Sequence, residues 1–282
     1  MSIQIIADSC CDTSPELQKQ LGIDLVPLTI HVPESDPIVD IMGVNTDNLL
    51  QKIEASREPT HSSCPSPIDF MKRMEKYEES IVITLSKFLS GTYNIACVAR
   101  DLVLENFPNK KITIVDSGTA TAGETLIALY VDRLRRIGES FESISRKAQE
   151  YVQRSRTLLV LEDLRTIIKN GRMSKVKGIV ASVLSLYPIL GDDGQGEIML
   201  VKTVRGFNNA LNRMVDTVKE LTDSNKKKSL PLVLSHCQCP ERAQNLKKDL
   251  LERCPALSEV IIVPTSGLSS MYASRGGVVI AF

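Results

Sequence analysis

The chain has 282 residues, of which 43% are hydrophobic, 24% charged and only 4% aromatic, the balance of an ordinary globular protein. A chain of this length buries about three quarters of its unfolded surface and lies where one core begins to divide, so two domains are expected. Thirty-four basic side chains cancel thirty-four acidic ones, which leaves no global positive field to gather phosphate backbones and argues against a nucleic-acid partner.

The opening MSIQIIADSCCD carries no basic stretch and meets Asp8 after a few apolar residues, so no export signal is expected. The longest largely apolar window, 178–190, contains Ser182, Ser185 and Pro188 and falls short of the 18 or more residues of a membrane span. Seven cysteines, an odd count without an export signal, predict reduced thiols in a bacterial-type cytoplasm.

In chain order, the β-branched run 3–7 reads as a strand ending at Asp8-Ser9-Cys10-Cys11-Asp12, and Ser14-Pro15-Glu16 opens a helix with proline at its first position. A strand over 25–32 and helices over 46–56 and 66–77 follow. Next come a strand at 80–85, a helix at 92–106, a strand at 111–115 and a long helix over 120–137 that stops at Gly138. This alternation predicts parallel strands joined by right-handed crossovers, hence an N-terminal three-layer α/β domain over residues 1–156.

The second half reads differently. A charged amphipathic helix at 140–155 precedes a strand at 157–161, a helix at 162–169 and an apolar segment at 179–184. The turn formers Gly191-Asp192-Asp193-Gly194-Gln195-Gly196 sit between 188–190 and 197–203 and predict a hairpin. Helices at 208–222 and 240–253 and strands at 232–234, 260–263 and 277–282 complete a C-terminal mixed α/β domain over 157–282. The lysine-rich stretch 223–228 has no aromatic partners and reads as a solvated loop.

In an open parallel sheet ligands dock at the carboxyl ends of the strands, where the next helix begins with unpaired N–H groups. Three loops qualify: Asp8-Ser9-Cys10-Cys11, the segment from Ser86 through Ser90-Gly91-Thr92, and Asp116-Ser117-Gly118-Thr119-Ala120. Each offers small hydroxyls that suit an anionic head group, although Ser and Thr also cap helices. A serine hydrolase at Ser90 would need a base, and the three histidines, His31, His61 and His236, are not placed by sequence as one. Walker A and G-x-G-x-x-G are absent. Cys10, Cys11, Cys237 and Cys239 lack C-x-x-C spacing but leave a metal or redox role open. Gly171 in Asn170-Gly171-Arg172 suits the left-handed end of a helix and would hold Arg172 at a chain reversal, either as a surface arginine or facing an oxyanion.

The motifs IIADSCCDTSPEL, LSKFLSGTYNIA, VDSGTATAGETL, KNGRMSKVKG with YPIL beyond it, KTVRG and the terminal GGVVIAF, in this order, resemble those of the DegV proteins, a bacterial fatty-acid-binding family. The resemblance implies a non-enzymatic carrier with two α/β domains. One long-chain fatty acid lies buried between them, with its carboxylate on small hydroxyls, no cofactor, and a fatty acid kinase as partner. It implies head-group roles for Ser62 and Ser63, with Ser62 where the family has threonine, and for Ser90, Gly91 and Thr92. Arg172 joins them and Arg205 is implied to face the partner, while Ser117 is a ligand-binding candidate from the reading of the 116–120 loop. Two positions depart from the family: Tyr272 stands where its head-group histidine would be, and Tyr187 replaces its lysine. Tyrosine donates a hydrogen bond but carries no positive charge at neutral pH. A small-molecule enzyme using Ser90, as hydrolase or phosphotransferase, and a cysteine-based metal or redox protein remain the alternatives.

Overall fold

The computed structural model describes residues 3–173, 185–223 and 230–282. The apolar segment 179–184, and the loop 223–228 beyond Asp223, lie outside the described residues.

Strands β1 (Gln4–Asp8), β2 (Asp24–Val26), β6 (Glu79–Thr84) and β7 (Lys111–Asp116) form a parallel sheet in the order β2-β1-β6-β7. Their alternation sorts side chains to two faces. Ile6, Val82 and Ile114 pack under α3 (Pro67–Met74) and α4 (Thr92–Asn106), while Ile5, Ile81, Ile83 and Val115 face α5 (Ala122–Arg136). Serine caps with proline behind them start the helices where the sequence marks them: Ser14 accepts from Leu17 N at α1 (Pro15–Leu21), and Ser66 forms a reciprocal box with Asp69 at α3.

The second sheet has six strands in the order β10-β9-β8-β13-β11-β12. These are β8 (Thr157–Val160), β9 (Leu186–Asp192), β10 (Ile198–Arg205), β11 (Leu230–His236), β12 (Leu257–Pro264) and β13 (Val278–Ala281). All pairs are antiparallel except β11 with β12. One face carries α8 (Phe207–Asp223) and α9 (Pro240–Arg253); the other turns Val233, Val279 and Ala281 onto α5. Helix α5 is thus shared by both sheets, and every residue from Ala122 to Ala128 is buried. Helix α6 (Phe141–Arg154) flanks it.

Several elements depart from the sequence reading, β4 (Ile38–Val39) and β5 (His61–Ser63) among them as strands it did not foresee. The strand expected over 25–32 is two short strands in different sheets: β2 ends at Val26 and β3 (Thr29–His31) belongs to a small antiparallel sheet with β4 (Ile38–Val39) and β5 (His61–Ser63). Pro27 has no N–H for a ladder, and Leu28 donates to Ser9 Oγ at 3.1 Å, so the chain leaves one sheet before entering the next. The helix expected over 162–169 is only α7 (Arg165–Lys169), because the Asp163 carboxylate takes the Arg165 N–H at 2.8 Å and turns the chain before a helix can start. Helix α10 (Gly267–Ala273) has no counterpart in the sequence reading.

Helix α10 is held from outside. Its cap Ser266 donates its N–H to Asp12 Oδ1 at 2.8 Å, and the N–H groups of Gly267 and Leu268 go to the two oxygens of buried Asp40 at 2.9 and 3.0 Å. Two carboxylates from distant parts of the chain therefore satisfy the orphan donors of a helix seven residues long. Burial pushes the Asp40 carboxyl up, and its backbone donors pull it back. Asp40→Ala leaves two buried donors unpaired and is expected to cost about 3 kcal/mol, read as a lowered urea midpoint with unchanged m-value.

Candidate functional site

The two sheets and the small antiparallel sheet enclose a cavity with about 900 Å³ of atom-free space, part of it open to solvent. Its lining is overwhelmingly apolar, with Leu28, Leu85 and Leu89 on one side and Leu159, Leu161 and Val279 on the other. An apolar lining with a few polar groups suits a ligand that is mostly hydrocarbon.

All three loops at the strand ends reach this cavity, through Cys10, through Leu85, Leu89 and Ser90, and through Gly118, Thr119, Ala120 and Thr121. The hairpin expected at 191–196 forms, and it folds over to meet the 116–120 loop. Asp193 Oδ1 gathers the N–H groups of Gln195, Gly196 and Glu197, while Ser86 Oγ donates to Gly196 O at 2.7 Å. The Thr119 and Thr157 hydroxyls lie 2.8 Å apart where the two halves join.

At the rim Ser62 Oγ lies 3.5 Å from Tyr272 OH. Ser90 Oγ lies 2.9 Å from Thr92 Oγ1 and 3.2 Å from Cys64 Sγ. Arg172 follows Gly171, whose φ of +73° closes α7 as its sequence position predicts. The Arg172 guanidinium donates to Leu89 O at 3.2 Å and to Asn170 O, which fixes it against the Ser90 loop.

This geometry agrees with the comparisons. The DegV family model matches residues 2–282. The chain belongs to the DegV family. A DegV protein from Ruminococcus gnavus, solved with vaccenic acid, superposes with a TM-score of 0.94 at 36% identity, covering 100% of both chains. The Streptococcus pneumoniae Fatty Acid Kinase (Fak) B3 protein, loaded with linoleic acid, gives 0.89 at 29% identity over 100% of this chain and 99% of that one. A DegV domain-containing protein of Streptococcus pyogenes is 29% identical over 286 residues, covering 100% of this chain and 99% of the relative.

Of the residues that the DegV resemblance singles out, Ser62, Ser90, Arg172 and Tyr272 line the cavity together. Thr92 is buried and reaches it only through Ser90. Ser63 points the other way along β5, exposed and bonded to His31 Nε2 at 2.9 Å, as strand alternation requires of a neighbour of Ser62. Gly91 is the exposed cap position of α4. Ser117 is turned onto its own loop, donating to Thr119 O at 3.1 Å, and faces a separate polar cleft. Arg205 is exposed at the end of β10, opposite Leu186, away from the cavity. Tyr187 packs edge-on to Phe207.

Sequence reading missed Cys64, the variable position of the Ser62-Ser63-Cys64-Pro65 motif, and Ser269 on the unforeseen α10. No histidine or carboxylate is among the hydrogen-bond partners of Ser90 in the described residues: His31 and His61 stack on each other at 4.8 Å, and His236 accepts from Cys239 N. Cys237 and Cys239 do not join Cys10 in any group with metal-ligand spacing among the described residues.

The wall where the hairpin crosses depends on Gly196. Its φ is +107°, and a Cβ there would lie 2.5 Å from Ser86 Oγ and 2.9 Å from Gly118 Cα. Gly196→Ala is expected to push the hairpin off the 116–120 loop and cost about 1–3 kcal/mol, visible as a lowered Tm.

Proposed function

We propose that this DegV protein carries one long-chain fatty acid in the cavity, with the carboxylate at the rim among Ser62, Ser90 and Tyr272, and presents it to a fatty acid kinase. The observation that carries this reading is the apolar cavity whose rim brings hydroxyls together from β5, the Ser90 loop and α10. The R. gnavus and S. pneumoniae proteins, similar over their whole length and solved with fatty acids, support it.

Energetics favour carriage over turnover. An acyl tail of about 14 methylenes gains roughly 11 kcal/mol on leaving water, at about 0.8 kcal/mol each. Part of that is lost to immobilising the ligand, yet the remainder holds an acid firmly without any catalytic group. Ser90, with Thr92 and Cys64 as its polar neighbours, serves as a hydrogen-bond donor here and lacks the base that a hydrolase requires.

In this reading the domains meet at residues 156 and 157. The support is that the parallel and three-stranded sheets precede this point and the six-stranded sheet follows it. The protein works in the cytoplasm in this reading, supported by seven cysteines that are all free thiols.

Mass spectrometry of the denatured protein should release about one equivalent of fatty acid; an empty cavity in protein produced with fatty acid present would overturn the proposal. Ser90→Ala and Ser62→Ala should each weaken acyl binding by about 1–3 kcal/mol, since a carboxylate oxygen loses its donor. Unchanged affinity in both would remove these residues from the head-group site. Leu159→Phe should narrow the cavity and shift the bound acids towards shorter chains with the fold intact, read from the released masses.

A further inference from the structure

Behind the cavity wall, the carboxyl end of the parallel sheet holds a second cluster that acyl carriage does not use. Asp8 closes β1, Cys10 lies two residues further on, and Glu124 projects from the first turn of α5. One ligand atom from each lies within 4.8 Å of the other two, and all three residues are buried. Glu124 is 0% exposed, and neither of its oxygens has a hydrogen-bond partner. Its polar neighbours are Asp8 and Cys10 themselves.

A carboxylate in this position is not sustained without a proton or a cation. The charges that act on Asp8 and Glu124 come from acidic groups, Asp40 on Asp8, and Asp8 with Asp12 on Glu124. Asp12 Oδ2 is a third buried oxygen without a partner. Asp8, by contrast, is oriented by backbone donors, Cys10 N at 2.9 Å on one oxygen and Leu85 N at 2.8 Å on the other. Each of its oxygens keeps a further lone pair for a ligand bond. Cys10 also lines the main cavity, which gives an ion a way in.

We propose that Asp8, Cys10 and Glu124 form a binding site for a borderline divalent cation of the Zn²⁺ type. Two carboxylates with one thiolate match that ion, whereas Mg²⁺ and Ca²⁺ avoid sulfur. Bonds of about 2.0–2.3 Å bring tetrahedral donors within about 4 Å of one another, so small side-chain movements close the set. Uptake exchanges the Cys10 thiol proton, and any proton on Glu124, for the ion; both protons leave to solvent. Three protein donors leave one position for a water or an anion.

The test uses the full-length protein, stripped with a chelator and titrated with Co²⁺ alone. One equivalent should bind and produce a sulfur-to-cobalt charge-transfer band in the near ultraviolet, which Zn²⁺ then abolishes by displacement. Cys10→Ser should lose the band. Glu124→Gln, which keeps the volume and removes the charge, should weaken Co²⁺ binding at least tenfold with native far-ultraviolet circular dichroism. His61→Ala should change neither, because imidazole gives no such band. Absence of the band in the unaltered protein, its survival in Cys10→Ser, or undiminished binding by Glu124→Gln would overturn the site. None of these results depends on whether a fatty acid is released on denaturation, so the two proposals fail separately.

Discussion

The architecture depends on one helix whose first two turns are buried on every side. Helix α5 packs its apolar residues against Ile5, Ile81 and Ile83 of one sheet and Val233, Val279 and Ala281 of the other. Two sheets in direct contact would lie about 10 Å apart, but an intervening helix of about 10 Å diameter holds them wider. Where α5 begins, at Thr121, that separation persists with no helix to fill it. Side chains from Leu85, Leu159 and Val279 reach into the gap without closing it, and the cavity is what remains.

Such a gap collapses unless its edges are fastened, and the fasteners are polar. Asp12 and Asp40 fix the start of α10, Ser86 holds the hairpin through Gly196 O, and Thr119 meets Thr157. Each joins segments far apart in the chain, and each is buried, so its net contribution of about 1 kcal/mol is small beside the cost of leaving either partner unpaired. The division of labour follows from chemistry. Apolar burial sets the spacing of the sheets, and hydrogen bonds set the position of the rim.

Much of this was legible in the sequence because it is local. Ser14-Pro15, Ser66-Pro67 and the turn Asp193-Gly194 act within a few residues, and α4 and α9 lie where their patterns begin and end. The alternation of strand and helix fixes a parallel sheet, and with it the sheet edge where the three loops converge on the cavity. What escaped reading is non-local. Helix α10 exists because Asp12 and Asp40 cap it from more than two hundred residues away, and nothing within residues 267–273 announces it. Ser62 and Ser63 are indistinguishable as letters, and only the register of β5 against β3, with Ile30 opposite Ser62, decides which one faces the cavity. Glu124 reads as an ordinary first-turn acid of an amphipathic helix until the loop after β1 is brought against that face.

The rim bears on how an acid is oriented without a histidine. In the proposed carrier affinity comes from the tail, so the head group need only settle which end points outward. Arg172 is the one cation among the described cavity-lining residues, and it is fixed beside Ser90 through Leu89 O. Asp192 and Glu197, on the hairpin, are the acids of the same lining. A carboxylate placed among Ser62, Ser90 and Tyr272 has hydroxyl donors and the field of Arg172; the same carboxylate turned towards the hairpin meets the like charges of Asp192 and Glu197. In the proposed carrier the difference between these two ends directs the acid, and Tyr272, supplying a donor without a charge, is sufficient where Arg172 already supplies the positive field.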